Sequence, residues 1–404
     1  MRKHHSLLIT AAVVFSLLVL FMSAPSYAGE VRGVTDKTIT LGVIMPMTGP
    51  IAPLEGALAV AGATRNYFRY INEKGGINGR KVKPIIHDCR FTMLGAMAGF
   101  KKLIYRDNAF AIFLPGTGQT LALTPQILKE KVPTITASLS ETVITPVEKK
   151  RYIFIPCASY QDQITILIDY IIKDLKAKDP RIAFVTLEIE YGKVGLAAAR
   201  ERLKRYGLDL VNVEIMPVGA VDATTTILNI NRAKADYVIV HLDMTTSIAF
   251  IRETKKYKMG ARMLGDYYSC DEDIVKAAGS AAKDYIGSHT FNSWYDDTPA
   301  MAELRNITLK YEQGDPKMRN RYYIQGWVMS MIFAEAMKRA GRDLTSENMV
   351  EAMESLKEFD TNGLSAPITY TQTNHKAGEY CRLFKADVEK GRMVPISGWV
   401  KVAK

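Results

Sequence analysis

Residues that could bind a small anion recur in three short segments of this sequence, each directly after a run that predicts a β-strand. The segments are residues 45–56, 114–120 and 136–142. In open parallel sheets, loops and helix N-termini at the carboxyl ends of the strands present backbone N–H groups to ligands. The hydroxyls of Thr117 and Thr120 can donate hydrogen bonds to a carboxylate. Each segment alone is equally typical of a turn or a helix cap, but three at successive strand ends favour a polar binding site.

The sequence lacks the residue patterns of common catalysts. It contains no G-x-S-x-G nucleophile elbow, no GxGxxG or GxxxxGK[ST] nucleotide motif and no HExxH metal motif. His241 ends a predicted strand, and we interpret it as a hydrogen-bonded structural histidine, with ligand contact as the alternative. Glu188, Glu190 and Asp162 could supply an acid/base pair, but nothing in their spacing favours one. We therefore expect no catalysis, no cofactor and no metal site, and we disfavour an exported hydrolase.

The first 28 residues have the features of a secretory signal peptide. Arg2 and Lys3 form a basic head, an apolar run covers residues 7–22, and Ser26 and Ala28 supply the small residues of a cleavage site. The apolar run is shorter than the ~20 residues that span a bilayer, and no cysteine near the cut suggests a lipid anchor. We expect residues 1–28 to be removed and the mature protein to lie in the periplasm.

The charge and the cysteine content of the sequence limit which kinds of binding partner are expected. The net charge at pH 7 is +11, but Lys and Arg are spread along the chain and no basic block is longer than residues 149–151. The sequence therefore does not indicate nucleic-acid binding. An oxidising compartment would permit disulfides, and the four cysteines form no metal-binding pattern and leave their pairing open. They are Cys89, Cys157, Cys270 and Cys381.

Two series of short Val- and Ile-rich runs alternate with amphipathic segments over residues 38–290. This alternation predicts βαβ units and two parallel sheets. Predicted strands cover residues 38–45, 82–87, 109–114, 134–136 and 152–155 in the first series, and 181–186, 210–215, 236–241, 261–264 and 285–290 in the second. Predicted helices cover residues 57–73, 94–106, 161–175, 193–206, 244–257, 300–312, 322–339 and 346–356. Short β-like runs follow at 368–370, 379–385 and 393–396.

Four segments resemble the family of the leucine/isoleucine/valine-binding protein, which has the type I periplasmic binding fold. They are ITLGVI and MTGP within residues 39–50, INEKGGINGRK at 71–81, FDTNGL at 359–364 and YTQTNH at 370–375. The resemblance extends over essentially the whole chain after the signal peptide. It implies an α/β fold of two doubly wound parallel-sheet lobes joined by a three-crossing hinge. Residues 31–156 and 292–365 would form lobe 1, and residues 157–291 and 366–404 lobe 2.

The resemblance also implies a function. Family members capture a small molecule between the lobes and deliver it to the permease of an ABC importer in the inner membrane, and hinge closure buries the ligand. We therefore expect a monomeric, non-catalytic solute-binding protein. A sensing protein of the same fold is the alternative, because lobe closure would serve both roles.

Site residues follow from the same resemblance. In amino-acid-binding members, the ligand carboxylate is held by loops that match Thr117, Ser138 and Ser140, and we include Gly118 beside the first of these. Tyr191 matches an aromatic residue of the second lobe that faces the ligand. Where many relatives have a large aromatic residue in the first loop, this chain has Leu54, which leaves more room.

The departures from the family pattern bear on the ligand. Amino-acid binders hold the ligand ammonium with acids at positions that match Tyr160 and Tyr267, and a buried ammonium without such acceptors has a large desolvation cost. Either the ligand is a carboxylate with an apolar or aromatic body, or Asp243 or Asp266 supplies the charge for a ligand like a branched-chain amino acid. Tyr268 and Trp294 would add to an aromatic-rich pocket. Relatives can carry a disulfide cysteine near Cys89, but its partner around residues 114–116 is absent.

Overall fold

The computed structural model describes residues 31–49, 51, 59–312 and 319–403. The predicted signal peptide (1–28) and the predicted site residue Leu54 lie outside these ranges. Among the described residues, no helix combines the length and apolar character needed to cross a membrane.

A five-stranded parallel sheet forms from the first series of runs. Its central strands are apolar throughout because both faces are covered, and Leu41, Val43 and Ile112 are fully buried. The strand order is β2-β1-β3-β4-β5. The strands are β1 (Thr38–Met45), β2 (Lys81–Asp88), β3 (Ala111–Leu114), β4 (Thr134–Thr136) and β5 (Ile153–Phe154). The connecting helices are α1 (Val60–Glu73), α2 (Met93–Lys101) and α3 (Thr117–Lys129).

A second sheet of seven strands forms from the second series and the C-terminal runs. Its order is β12-β11-β10-β9-β8-β6-β7, and only the pairs β10–β11 and β11–β12 are antiparallel. The strands are β6 (Ile182–Leu187), β7 (Leu210–Met216), β8 (Tyr237–His241), β9 (Arg262–Gly265), β10 (Ile286–His289), β11 (Tyr380–Asp387) and β12 (Arg392–Lys401). Its helices are α4 (Tyr160–Asp169), α5 (Glu190–Lys204), α6 (Thr224–Arg232), α7 (Met244–Lys256) and α8 (Glu272–Ala278).

Three further helices, α9 (Pro299–Tyr311), α10 (Arg321–Ala340) and α11 (Ser346–Glu354), lie beside the first sheet. The rings of Phe113 in β3 and Phe333 in α10 stack with centroids 5.0 Å apart. Helix α10 also packs closely on α1, because Gly326 leaves room for the Val60 backbone. The chain therefore passes from the first lobe to the second, back to the first and again to the second.

The three crossings run side by side. Ile155 donates its N–H to the His375 carbonyl at 3.0 Å and accepts from the N–H of Ala377 at 3.2 Å, while Asn292 donates to the Leu364 carbonyl at 2.8 Å. The predicted fold class, two parallel-sheet lobes with a three-crossing hinge, is confirmed. The residue boundaries given above for the lobes stay a prediction.

Differences from the sequence expectation are local. Residues 368–370 contribute one isolated bridge, between Phe359 and Ile368, and no strand. The predicted helices 94–106 and 161–175 each end in a π-helical turn, Lys102–Arg106 and Tyr170–Asp174. Short 3₁₀ turns cover Glu141–Val143, Val147–Lys149, Tyr267–Ser269 and Gly279–Ala282. All four cysteines are buried free thiols, which answers the open question of their pairing.

Candidate functional site

A cavity of about 530 Å³ opens between the carboxyl ends of the two sheets. Loops after β1, β2, β3, β4, β6, β7, β8 and β9 contribute to it, as expected for ligand sites of parallel sheets. Helix α10 closes one side. Its described lining residues are Met45, Pro46, Ile51, Val60, Arg90, Phe91, Thr92, Met93, Pro115, Gly116, Thr117, Gly118, Gln119, Ala137, Tyr160, Leu187, Glu188, Ile189, Glu190, Tyr191, Lys193, Val218, Asp243, Tyr268, Tyr322 and Gln325.

The N-terminus of α3 forms one wall of the cavity. Its cap residue, Gly116, has φ 21° and makes no side-chain capping bond to the helix. A Cβ at Gly116 would lie 2.4 Å from Gln119 Oε1, so a larger residue would displace the Gln119 side chain. Thr117, Gly118 and Gln119 of the first turn line the cavity. The first N–H groups of a helix lack intrahelical acceptors and carry the positive end of its dipole, so this wall suits an anion.

Two predicted serines lie behind this wall. Ser138 is fully buried, and its Oγ is 2.8 Å from Thr117 Oγ1 and accepts the N–H of Ser140 at 3.3 Å. Ser140 Oγ accepts the N–H of Thr142 at 3.2 Å and thereby caps the Glu141–Val143 turn. Thr117 and Gly118 are thus brought to the cavity surface, whereas Ser138 and Ser140 support that surface from beneath.

Four tyrosines form the opposite wall: Tyr160, Tyr191, Tyr268 and Tyr322. The centroid of the Tyr160 ring is 4.9 Å from that of Tyr191 and 6.0 Å from that of Tyr268, at interplanar angles of 85° and 60°. The rings of Tyr191 and Tyr268 are 6.0 Å apart at 88°. Tyr322 stacks on Tyr268 with centroids 5.4 Å apart.

The hydroxyls of these tyrosines are turned towards protein groups. Tyr191 Oη donates to Asp266 Oδ2 at 2.9 Å, Tyr268 Oη donates to the Ala137 carbonyl, and Tyr322 Oη donates to the Tyr268 carbonyl at 3.4 Å. Burial raises the pKa of Tyr191 and of Tyr268 well above the ordinary tyrosine value, so both stay neutral. The wall therefore presents mainly aromatic carbon to the cavity.

Asp266 and His241 form a buried pair beneath Tyr191, and both are fully inaccessible to solvent. His241 Nδ1 lies 2.9 Å from Asp266 Oδ2, and Nε2 lies 3.0 Å from the Tyr191 carbonyl oxygen. Both ring nitrogens thus face acceptors, so the histidine and the aspartate together must hold two protons. The His241 ring also stacks on Tyr191 with centroids 3.6 Å apart. The pair fixes Tyr191 and does not line the cavity.

Asp243 does line the cavity, but its carboxylate is already occupied. It caps α7 by accepting the Thr246 N–H at 2.9 Å and the Thr246 hydroxyl at 2.6 Å, and it accepts the Gly219 N–H at 3.1 Å. A carboxylate offers about four acceptor positions. Little capacity therefore remains for an ammonium of a ligand.

Tyr267 lies outside the cavity, whereas its neighbour Tyr268 lines it. Tyr267 is fully buried, and its hydroxyl donates to the Arg321 carbonyl at 3.0 Å. Its hydroxyl and that of Tyr268 thus bridge from the second lobe to the first. Trp294 is also buried away from the cavity, against Tyr323.

Sequence reasoning missed Phe91, Tyr322 and Gln325 among the lining residues. The latter two come from helix α10, which carries no local motif. Charged side chains occur at the cavity as Arg90, Glu188 and the ion pair Glu190–Lys193, whose charged atoms are 2.6 Å apart. Within the described residues, no group of His, Cys, Asp and Glu has the arrangement needed to hold a metal ion.

Comparison with known proteins agrees with this architecture. A family model described as periplasmic binding protein matches residues 38–392. The Leu/Ile/Val-binding protein homolog 3 of Brucella melitensis is 22% identical over 383 residues, which cover 95% of this chain and 98% of that protein.

Two solved structures are similar in fold. A branched-chain amino acid ABC transporter protein of Thermus thermophilus with bound valine has a TM-score of 0.84 and 24% identity, covering 92% of this chain and 98% of that one. A fatty acid ABC transporter substrate-binding protein of Thermomonospora curvata has a TM-score of 0.82 and 21% identity, covering 93% and 96%.

The match extends over both sheets, apart from β12 beyond residue 392, and over every strand-end loop that lines the cavity. The chain belongs to the periplasmic binding protein family.

Proposed function

We propose that this protein is the periplasmic solute-binding component of an ABC importer, and that it captures a small carboxylate with an apolar or aromatic body. It would act without catalysis and deliver its ligand to a permease of the inner membrane. The names of the relatives support the transport role, since they include proteins that bind branched-chain amino acids and one that serves fatty acids. One fold thus accommodates carboxylates with and without an amine.

The observation that carries the proposal is the contrast between the two walls of the cavity. On the α3 side, a ligand carboxylate would accept N–H groups from Thr117, Gly118 and Gln119 at the positive end of the helix. Because Ser138 Oγ accepts the Ser140 N–H, it can donate its own proton to Thr117 Oγ1. The Thr117 hydroxyl proton is then available to the carboxylate. Hydrogen bonds to a charged acceptor contribute about 1.5–3 kcal/mol each.

The tyrosine wall argues against a primary ammonium. Such a group needs up to three acceptors when it is buried. Asp266 lies beneath Tyr191, accepts the Tyr191 hydroxyl and shares a hydrogen bond with His241, while Asp243 accepts from Thr246 and the Gly219 backbone. An apolar or aromatic body, in contrast, loses nothing on contact with tyrosine rings. We therefore prefer an acid without an α-amine to a branched-chain amino acid.

Matched ligand pairs test this preference. Purified protein is titrated calorimetrically with 3-phenylpropanoate and phenylalanine, and with 4-methylpentanoate and leucine, since each pair differs only in the α-amine. We expect the acid of at least one pair to bind at least 10-fold more tightly. The corresponding amides, which lack the carboxylate charge, should not bind. Binding of leucine or phenylalanine in preference to its deaminated partner would overturn the preference.

A threonine pair on α3 tests the carboxylate position. Thr117→Val removes the hydroxyl at nearly constant side-chain shape and should lower the affinity for the acid about 10- to 100-fold. Thr124→Val is the matched control on the same helix, where the hydroxyl donates only to the Thr120 carbonyl, at 2.9 Å. Equal effects of the two substitutions would show that the carboxylate binds elsewhere.

A further inference from the structure

We propose that Tyr160, Tyr191 and Tyr268 form a cage for a quaternary ammonium group, so that the ligand is a carboxylate that also carries a fully alkylated nitrogen, as betaines do. The inference rests on the proposed function, because the carboxylate would bind at α3 as described. It adds a cationic group to the body of the ligand.

The three rings are neighbours and are steeply inclined to one another, with edge-to-face contacts of Tyr191 with Tyr160 and Tyr268. Their centroids are 4.9–6.0 Å apart and their planes meet at 60–88°. A cation held against this group of rings would lie within the ~6 Å over which a cation is attracted to an aromatic face. All three residues line the cavity.

The electrostatics favour a cation at this point. The hydroxyls of Tyr191 and Tyr268 donate to Asp266 and to the Ala137 carbonyl, so the rings themselves are what a ligand meets.

A quaternary nitrogen can be buried at this site, although a primary ammonium would lack the acceptors that it needs. It has no N–H groups, so it needs no hydrogen-bond acceptors when it is buried. The carboxylates of Asp243 and Asp266, which are committed to protein donors, are then not required as direct partners. The negative charge of Asp243 still lies near the cage and contributes at longer range.

The test compares isosteres that differ by one atom. Glycine betaine and 3,3-dimethylbutanoate share a carboxylate and a branched head, with N⁺ in the first and carbon in the second. A longer pair, 4-(trimethylammonio)butanoate and 5,5-dimethylhexanoate, allows for the size of the cavity. Calorimetric titration of the purified protein should give tighter binding of the betaine in at least one pair, by about 10- to 100-fold. The primary amine 4-aminobutanoate should bind more weakly than either member of the longer pair.

Variants of Tyr160 provide an internal check. Tyr160→Phe keeps the ring and should keep the affinity ratio between betaine and isostere. Tyr160→Leu removes the ring and should reduce this ratio at least threefold. Tyr105→Leu is the control, because Tyr105 is an exposed residue away from the cavity. Because a general effect of a substitution on folding changes both affinities equally, it does not change the ratio of betaine affinity to isostere affinity.

The outcomes separate the two proposals. Isosteres that bind as tightly as their betaines in both pairs, or a ratio that is unchanged in Tyr160→Leu, would overturn the cage while leaving the carboxylate proposal standing. Absence of binding by either pair would also overturn the cage, and the acid series above would then decide whether the proposed function fails with it.

Discussion

Replacement of Glu272 by Gln is expected to reduce one component of the pH dependence of stability. Glu272, Asp271 and Arg321 are all buried, at 1%, 0% and 0% exposure. Arg321 Nε lies 3.7 Å from Asp271 Oδ2, while Glu272 contacts the Ser293 hydroxyl through one oxygen and has no hydrogen bond at the other. One buried cation cannot compensate two buried carboxylates, so one of the acids retains a proton.

The magnitude follows from linkage. Burial and the charge of Glu272 raise the pKa of Asp271 from 3.8 to about 7, and burial also raises the pKa of Glu272. At intermediate pH the folded protein therefore holds about one proton that the unfolded chain releases. A raised folded-state pKa stabilises the protein fully below the unfolded pKa, and this stabilisation is lost as the pH rises towards 7. One proton corresponds to about 1.4 kcal/mol per pH unit, or roughly 2–3 kcal/mol between pH 5 and pH 7.

In the Gln variant, Asp271 is the carboxylate that pairs with Arg321 and no longer has the charge of Glu272 beside it, so it should ionise at a lower pH. Urea unfolding followed by tryptophan fluorescence at pH 5, 6 and 7 gives the free energy of unfolding for parent and variant. Because burial still raises the pKa of Asp271 in the variant, we expect the variant to gain part of this amount, about 1 kcal/mol, relative to the parent between pH 5 and pH 7. Burial lowers the pKa of His289 and of His375, which makes stability rise with pH, but this contribution cancels in the difference. A difference between parent and variant that does not change with pH would refute the reasoning.

Three further outcomes are expected. Lys376→Met should cost about 3 kcal/mol in urea unfolding, because Lys376 Nζ lies 2.7 Å from Glu141 Oε1 and 2.8 Å from Asp162 Oδ2 in a largely buried ion cluster. Gly195→Ala should cost about 1–3 kcal/mol and weaken ligand binding, since an added Cβ would lie 2.4 Å from the His241 ring that supports the binding wall. All four cysteine thiols should resist a thiol reagent in the native protein and all should react in denaturant without reductant, because they are buried and free.

Matched controls make these expectations decisive. Lys385→Met breaks a half-exposed ion pair with Asp284 and should cost less than about 1 kcal/mol. Gly260→Ala adds a methyl group where no atom lies within 4 Å, and it should leave ligand affinity unchanged. Equal effects of a substitution and its control would contradict the assigned contact, and rapid native labelling of any thiol would contradict the assigned burial.

The sheets could be predicted from the sequence because their central strands, such as β3 and β6, are fully buried and rich in apolar residues. The prediction for β1 matches the structure residue for residue. Helix α6 could not be predicted in this way. It begins with three threonines, which have low helix propensity, so its position depends on packing against the sheet. The run at 368–370 forms no strand because its backbone hydrogen bonds go to single residues nearby in the chain, Phe359, Ala377 and Leu356.

The site divides along similar lines. Thr117, Tyr160, Tyr191 and Asp243 reach the cavity because each follows the end of a strand or crossing, and this position can be read from the sequence. For the adjacent tyrosines, a shift of one residue in the alignment with the family changes which of them is assigned to the site. The structure brings Tyr268, not Tyr267, to the cavity. Residues supplied by α10 depend on contacts far apart in sequence, for which no local pattern exists.

The two tyrosine hydroxyls that span the cleft have a thermodynamic consequence. Tyr267 donates to the Arg321 carbonyl and Tyr268 to the Ala137 carbonyl, so these bonds join the lobes without using any atom of a guest molecule. They add the same free energy to the shut form whatever solute occupies it. The relative affinities of different solutes then depend on the α3 wall and the tyrosine wall. A change in the strength of these two hydrogen bonds would change all dissociation constants by the same factor.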